Sequence, residues 1–235
     1  MSRKVNAGKQ RRGPTGGFSG GKGGGRFGGG GPKGPWADHH THKAKQLGFA
    51  ARSVFKLEEI DKKHKVLAKG HVVLDLGCAP GSWTQYAAKR VGPEGRVVGI
   101  DLKETKIDAP NATLLTGDAT ESLEQLRDLA PGGYDIVLSD MAPSTTGIKD
   151  VDEARSQGLV ESALATAEAL LKPGGAFVAK LFYGPDAKAL IERIGRHFAS
   201  TQTIRPDATR KQSREVFILA QGFRPAANDA PDDEV

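Results

Sequence analysis

Apolar positions divide most of the chain into strand-like runs that alternate with helical stretches. Six runs are nearly continuous in apolar residues, which is typical of buried strands: 71–77, 96–102, 112–118, 134–140, 175–182 and 215–223. Helical patterns separate them near 82–91, 120–130, 151–172 and 185–198. This alternation predicts an α/β fold in which helices cover both faces of a parallel sheet.

Residues 43–67 precede this alternation and have a different pattern. Phe49, Val54, Phe55, Leu57 and Ile60 are spaced for short amphipathic helices, with basic residues between them. The apolar pattern stops after residue 223. We therefore predict one folded domain over residues 42–223.

Both ends of the chain have compositions that do not support a packed core. Residues 1–35 carry a charge of +8 with no acidic residue, and glycine dominates the stretch. We predict a disordered basic arm over residues 1–41 and a disordered acidic tail over residues 224–235. The arm is either a solvated linker or an RNA-contacting segment, because its cations attract phosphates and its Phe and Arg side chains can stack on bases.

Length and composition restrict the class of protein. The 235 residues, 37% of them hydrophobic, suffice for one sizeable core. Cys78 is the single cysteine, so an internal disulfide is excluded. No stretch approaches the roughly 18 apolar residues of a membrane span, and no secretory signal is present at the start. We expect a soluble, cytoplasmic protein that does not act at a membrane.

Small and acidic residues stand at the carboxyl ends of the predicted strands, where ligands bind in open α/β sheets. A tight turn follows the first strand. The candidate cofactor-binding residues in and around it are Asp75, Gly77, Ala79, Pro80 and Gly81. Three further acids end the next strands: Asp101, Asp118 and Asp140. Asp101 lies at the distance from the turn at which such folds place the carboxylate that holds ribose hydroxyls, so a nucleoside-type cofactor is predicted.

Two nucleoside cofactors are consistent with this edge of the sheet. The spacing of Gly77 and Gly81 lacks the full glycine fingerprint that binds the pyrophosphate of NAD. S-adenosylmethionine has no phosphate, and its sulfonium and ammonium groups suit Asp75 and Asp140. The residues therefore favour S-adenosylmethionine over NAD.

Lys180 lies inside the apolar run of the fifth predicted strand. An unpaired lysine is rare in a strand interior, because its ammonium group is strongly hydrated. This position therefore indicates an amine with a chemical role.

Four segments together resemble the FtsJ family of S-adenosylmethionine-dependent ribose 2′-O-methyltransferases, which modify a uridine in bacterial large-subunit ribosomal RNA. They are DLGCAPGSWTQ, SDMAPSTTGIKDVDEARSQGLVE, AKLFYG and SREVFILA, and the resemblance spans residues 42–223. It implies a class I methyltransferase fold, Rossmann-like, with a mostly parallel seven-stranded sheet. It also implies a catalytic tetrad of Lys56, Asp140, Lys180 and Glu215. Trp83, after the turn, is a further cofactor-binding candidate, although an aromatic residue there also suits packing.

The resemblance implies methyl transfer to a uridine 2′-hydroxyl of 23S ribosomal RNA, with the assembled large subunit as partner and a monomeric enzyme. Lys180 acts either as general base or as a charged stabiliser of the developing alkoxide, and we favour the base. Two other functions stay open: methylation of tRNA or another RNA, and a non-catalytic RNA-binding role, against which the complete tetrad argues.

A metal ion is not expected. The histidines His39, His40 and His42 suggest one, but only Asp38 supports them, and we expect their segment to be mobile. In-line methyl transfer needs no metal.

Overall fold

The computed structural model describes residues 35–210 and 212–225, with side chains from residue 41 onward. The described part of the chain contains six helices and seven strands. In chain order they are α1 (Pro35–Gln46), α2 (Val54–His64), β1 (Val72–Leu76), α3 (Ser82–Val91), β2 (Arg96–Asp101), β3 (Ala112–Thr116), α4 (Leu123–Leu129), β4 (Tyr134–Ser139), α5 (Lys149–Leu170), β5 (Leu171–Phe182), α6 (Ala187–Arg196), β6 (Phe198–Ile204) and β7 (Glu215–Phe223).

The strands form one sheet in the order β3-β2-β1-β4-β5-β7-β6. Neighbouring strands from β3 to β5 are parallel, whereas β7 is antiparallel to both β5 and β6. The fold class is confirmed: an α/β protein with a mostly parallel seven-stranded sheet. The strand order reverses between β1 and β4, and the carboxyl ends of these two strands mark the place where such sheets bind ligands.

Each predicted strand run contains an observed strand, and the four predicted helices are present with small shifts of their ends. Strand β6 was not predicted, and the helix predicted over 185–198 ends earlier, at Arg196. Helix α1 begins at Pro35, inside the range 1–41 that was predicted as a disordered arm. The helical backbone includes His39 and His40, and the mobility expected for this segment stays a prediction. Residues 1–34 of the arm and 226–235 of the tail lie outside the described residues.

Two apolar layers cover the sheet, one on each face. On one face α4, α5 and α6 pack around Phe177 and Phe198, whose ring centroids are 6.2 Å apart. On the other face α2 and α3 pack around Trp83 and Phe217, with centroids 5.6 Å apart. Lys180 belongs to β5, between these two layers.

A buried carboxylate fastens α2 to α3. Asp61 is fully buried, and its Oδ1 accepts a hydrogen bond from the backbone N–H of Leu67 at 2.9 Å. Its Oδ2 accepts hydrogen bonds from the Tyr86 hydroxyl at 2.9 Å and from Arg90 Nε at 2.7 Å. Since a buried charge is stable only when it is paired and hydrogen-bonded, this network fastens α2, which carries Lys56, to α3.

Candidate active site at the carboxyl edge of the sheet

A cleft of about 480 Å³ lies at the carboxyl ends of β1 to β4. Five of the predicted cofactor-binding residues line it: Gly77, Ala79, Asp101, Asp118 and Asp140. The opposite wall comes from the loop after β4 and from α5, which contribute residues that the sequence did not indicate, among them Met141, Ser144 and Ser162.

The turn after β1 requires glycine for two physical reasons. Gly77 and Gly81 have φ angles of +72° and +103°, a region that other residues rarely adopt. A Cβ atom at Gly77 would lie 3.2 Å from Met141 Cα, and one at Gly81 would lie 3.3 Å from Thr105 Cγ2. Glycine therefore keeps this turn tight against its neighbours, and α3 begins directly after Gly81, which follows Pro80.

The two acids after β2 and β3 are held by local hydrogen bonds. Asp101 accepts hydrogen bonds from the backbone N–H of Ala79 at 3.0 Å and of Lys103 at 2.8 Å. Asp118 accepts them from the hydroxyl of Thr120 at 2.6 Å and from its N–H at 2.8 Å, and these bonds lower the pKa of Asp118. Both carboxylates are thus oriented acceptors on the cleft wall.

Asp75 does not line the cleft. The side chain is fully buried, and its Oδ2 accepts a hydrogen bond from the Thr84 hydroxyl at 2.5 Å. Burial raises the pKa of Asp75 to about 7, and the nearby charges of Asp140 and Asp101 act in the same direction. The structure therefore places Asp75 outside the lining of the cleft, and its part in cofactor binding stays a prediction.

The Trp83 indole also points away from the cleft. It is buried, stacks at a tilt on Phe217, and donates a hydrogen bond from Nε1 to the backbone carbonyl of Ser53 at 2.9 Å. The indole therefore packs, which is one of the two roles considered for Trp83 from the sequence, and its part in cofactor binding stays a prediction. Because Trp83 lies in the first turn of α3, its backbone N–H is the group that remains available for a ligand.

Lys180 forms an ion pair with Asp140, which directly follows the neighbouring strand β4. Its Nζ lies 2.8 Å from Asp140 Oδ1 and also donates to the backbone carbonyl of Asp140. The side chain of Lys180 is 7% exposed. A buried lysine is thus paired with an acid that lines the cleft.

The other two members of the predicted tetrad form a second ion pair. Lys56 Nζ, from α2, contacts Glu215 Oε1 at the start of β7, and both side chains are largely buried. Lys56 Nζ also lies 5.7 Å from the ring centroid of Phe217, which pairs with Lys180 in the β5–β7 register. The fold therefore brings both ion pairs to the same end of β5 and β7.

A second cavity of about 290 Å³ adjoins Lys56 and Glu215. Arg52 and Arg210 contribute basic groups to it, and Ser213, which precedes β7 in the chain, also lines it. Burial, followed by the charge of Arg210, lowers the pKa of Arg52. Arg52 was among the basic residues noted in the sequence, whereas Arg210 was not, although the basic run before β7 was a signal for it.

The described residues contain neither a membrane-spanning helix nor a metal-binding cluster. No described helix combines the length and the hydropathy that a bilayer crossing demands. Likewise, no group of three or more His, Cys, Asp or Glu within the described ranges could hold a metal ion. The side chains of His39 and His40 are outside those ranges.

The fold and the acid-lined cleft define an S-adenosylmethionine-dependent methyltransferase of class I. The carboxylates suit the cationic sulfonium and ammonium of that cofactor, and Asp101 suits its ribose hydroxyls. Among solved structures, a protein described as a ribosomal RNA methyltransferase from Plasmodium falciparum superposes with a TM-score of 0.68 at 28% identity, covering 74% of this chain and 98% of that one. Aeropyrum pernix fibrillarin, crystallised with natively bound S-adenosylmethionine, has the same fold, with a TM-score of 0.54, 18% identity and coverage of 72% and 76%.

The sequence comparison identifies the family within this class. A model of the FtsJ-like methyltransferase family matches residues 49–223, and the chain belongs to that family. It is 52% identical to a protein of Desulfatibacillum aliphaticivorans, over 78% of this chain and 89% of that one. It is 48% identical to a protein of Syntrophobacter fumaroxidans, over 80% and 96%. Both relatives are named Ribosomal RNA large subunit methyltransferase E. The predicted family and the predicted cofactor are thereby confirmed.

Proposed function

We propose that this protein methylates the ribose 2′-hydroxyl of a uridine in 23S ribosomal RNA, using S-adenosylmethionine. We further propose that it acts as a monomer on the assembled large subunit, in the cytoplasm. The names of the relatives support ribosomal RNA as the substrate. The observation that carries the proposed chemistry is the buried Lys180–Asp140 pair, because it places an amine beside the cleft that suits the cofactor.

The residues of the cleft have distinct roles toward the cofactor in this proposal. Asp101 accepts hydrogen bonds from the ribose hydroxyls, and Asp118 accepts one from the adenine end. Asp140 lies where the sulfonium and the target ribose meet. When bound, S-adenosylmethionine supplies an electrophilic methyl group for an in-line displacement.

Lys180 acts in this proposal as the general base that accepts the proton of the target hydroxyl. An alcohol attacks poorly until its proton is removed, and a positioned base accelerates such a step by roughly 10² to 10⁴. Asp140 orients the amine, since the 2.8 Å contact holds Nζ at the edge of the cleft. Lys56 orients the ribose, and Glu215 holds Lys56 in place through their ion pair.

The two possible roles of Lys180 require opposite charge states of its amine. A general base accepts a proton only when the amine is uncharged. A stabiliser of the developing alkoxide acts only when the amine is charged. We favour the base.

Basic groups around the tetrad support RNA as the substrate class. Lys43, Lys45 and Arg52 lie on or next to the helices that precede the sheet, and Lys56 is part of the site. Arg52 and Arg210 meet in the cavity beside Lys56. Such a cluster attracts phosphates without reading base identity.

The decisive experiment incubates the full chain with radiolabelled S-adenosylmethionine and one of three RNAs: undermethylated large subunits, their free ribosomal RNA, or bulk tRNA. We expect label in the large subunit, and nuclease digestion should yield a 2′-O-methylated uridine. Label in tRNA alone would contradict the proposed substrate. Absence of label in every RNA would contradict the reaction itself.

A further inference from the structure

The amino-terminal half of α5 presents buried polar side chains to the edge of the sheet that carries the tetrad. The polar side chains of Asp152, Glu153 and Ser156 are at most 4% exposed. They lie on the buried face of α5, whose opposite face is exposed. Burying polar groups is unfavourable unless they form hydrogen bonds. The hydrogen-bond partners of these side chains therefore show which segments of the chain this part of α5 fixes in place.

Two of these side chains bind the segments that follow Asp140 and Lys180. Asp152 accepts hydrogen bonds from the N–H of Thr146, at 2.7 Å, and of Gly147, at 3.2 Å, in the loop after β4. Ser156 Oγ accepts a hydrogen bond from the N–H of Phe182, at 2.9 Å, at the end of β5. Helix α5 thus fastens the backbone just beyond both catalytic candidates.

Glu153 binds the third segment, the one that leads into β7. Its carboxylate pairs with the guanidinium of Arg214, while Lys149 lies 4.0 Å away and is mostly exposed. The carboxyl carbon of Glu153 is so close to Gly184 that a Cβ there would lie 2.6 Å from it. The backbone carbonyl of Arg214 accepts a hydrogen bond from Tyr183 at 2.9 Å.

Arg214 directly precedes Glu215, the partner of Lys56. Successive side chains of an extended segment point to opposite faces of the sheet. Glu215 faces α2, and Arg214 faces α5. The start of β7 is therefore held by one ion pair on each face.

We propose that Glu153 and Arg214 form a positioning pair that holds Glu215 against Lys56, and thereby sets the geometry of the tetrad. This inference rests on the proposed function of the tetrad. Glu153 is too buried to touch an RNA, so it acts through Arg214 and not on the substrate. Displacements of about 1 Å in a reacting site can reduce a rate by roughly 10²-fold, which is why a pair outside the cleft can matter.

The test compares Glu153→Gln, Arg214→Gln and the double variant in the full chain, with single-turnover methylation of large subunits at saturating S-adenosylmethionine. We expect Glu153→Gln to slow the reaction roughly 10- to 100-fold and to leave the dissociation constant of S-adenosylmethionine within about twofold of wild type. The double variant should be no slower than Glu153→Gln alone, because the pair acts as a unit. The double variant also leaves no unpaired buried charge. If Glu153→Gln alone does not fold, the double variant is therefore the one to be measured.

Glu161→Gln is the matched control. Glu161 lies on the same helix and pairs with Arg193 at 2.6 Å, but the pair joins α5 to α6 at the surface. We expect it to react at the wild-type rate. A Glu153→Gln rate within twofold of wild type, a double variant slowed by the product of the single effects, or an equal loss in Glu161→Gln would overturn the proposal.

Amide hydrogen exchange separates this proposal from the proposed function, because it requires no substrate. Exchange over residues 213–217 should accelerate in Glu153→Gln and not in Glu161→Gln. If the wild type fails to methylate any RNA but this difference appears, the proposed function fails and the positioning pair stands. If the wild type methylates its substrate and exchange is unchanged, the positioning pair alone is refuted.

Discussion

The substitution Asp75→Asn should make the free energy of unfolding less sensitive to rising pH. The carboxyl group is fully buried, one of its oxygens accepts a hydrogen bond from Thr84, and the other, Oδ1, has no hydrogen-bond partner in the described structure. Its pKa rises from an ordinary value of 3.8 to about 7 in the folded protein. Asparagine has the same shape and can still accept the Thr84 hydrogen bond, but it does not ionise.

The direction of the effect follows from where each state binds the proton. Between pH 3.8 and about pH 7 the folded protein keeps the proton on Asp75, while the unfolded chain has released it. Stability therefore falls as pH rises through this range. The shift spans about three pKa units at roughly 1.4 kcal/mol each, so the upper bound is about 4 kcal/mol.

The assay is urea denaturation of both proteins at several pH values between about 5 and about 8. The free energy of unfolding of Asp75→Asn minus that of wild type should increase with pH up to about 7 and then level off. Asp118→Asn is the control: the lowered pKa of Asp118 places its titration below this range, so its difference should stay flat. A flat difference for Asp75→Asn as well would refute the reasoning that burial keeps this carboxyl protonated.

Three further predictions concern the cofactor, the fold and RNA. Asp101→Ala should weaken S-adenosylmethionine binding by about 1 to 3 kcal/mol in calorimetry, because buried hydroxyl donors lose their acceptor; an unchanged dissociation constant would place the ribose elsewhere. Tyr86→Phe should lower the free energy of unfolding by about 1 to 2 kcal/mol through loss of its hydrogen bond to Asp61, and a change near zero in urea titrations would contradict this. Deleting residues 1–34 should weaken RNA binding and flatten its salt dependence while cofactor affinity persists; an unaltered salt slope would reduce the arm to a spacer.

The interior strands were predictable because they are buried on both faces, and continuous apolar runs such as that of β4 have few other interpretations. Strand β6 differs because it lies at the edge of the sheet, where β7 is its one partner among the described residues. Its residues Ser200 and Gln202 are polar, and the segment directly follows α6, so the pattern merged with the helix. Edge strands expose one side to water and carry a weaker apolar signal.

The candidate site was predictable where a residue conflicts with its surroundings. Lys180 in an apolar strand is such a conflict, whereas Lys56 and Glu215 look like ordinary surface charges and were assigned through the resemblance alone. Asp75 and Trp83 lie at the correct edge of the sheet, but the direction of a side chain depends on how α3 packs. That packing brings Trp83 onto Phe217, far along the chain.

The Glu153–Arg214 pair had no local signal in the sequence. The two residues are 61 positions apart, and a glutamate in a helix suggests a solvated face. The pair becomes visible once the strand order places the start of β7 beside α5.

The catalytic role of Lys180 is the central claim, and Lys180→Met tests it most directly. Methionine keeps the length and the apolar stem but removes the amine. The matched control is Lys188→Met, since Lys188 is an exposed lysine on α6. Melting temperature and S-adenosylmethionine affinity should report a folded, cofactor-binding protein in both variants.

The measurement is single-turnover methylation of undermethylated large subunits. The account predicts that Lys180→Met loses roughly 10² to 10⁴ in rate, while Lys188→Met reacts as wild type. A folded Lys180→Met variant that methylates the subunit at the wild-type rate would contradict the account, because the amine would then have no part in the chemistry.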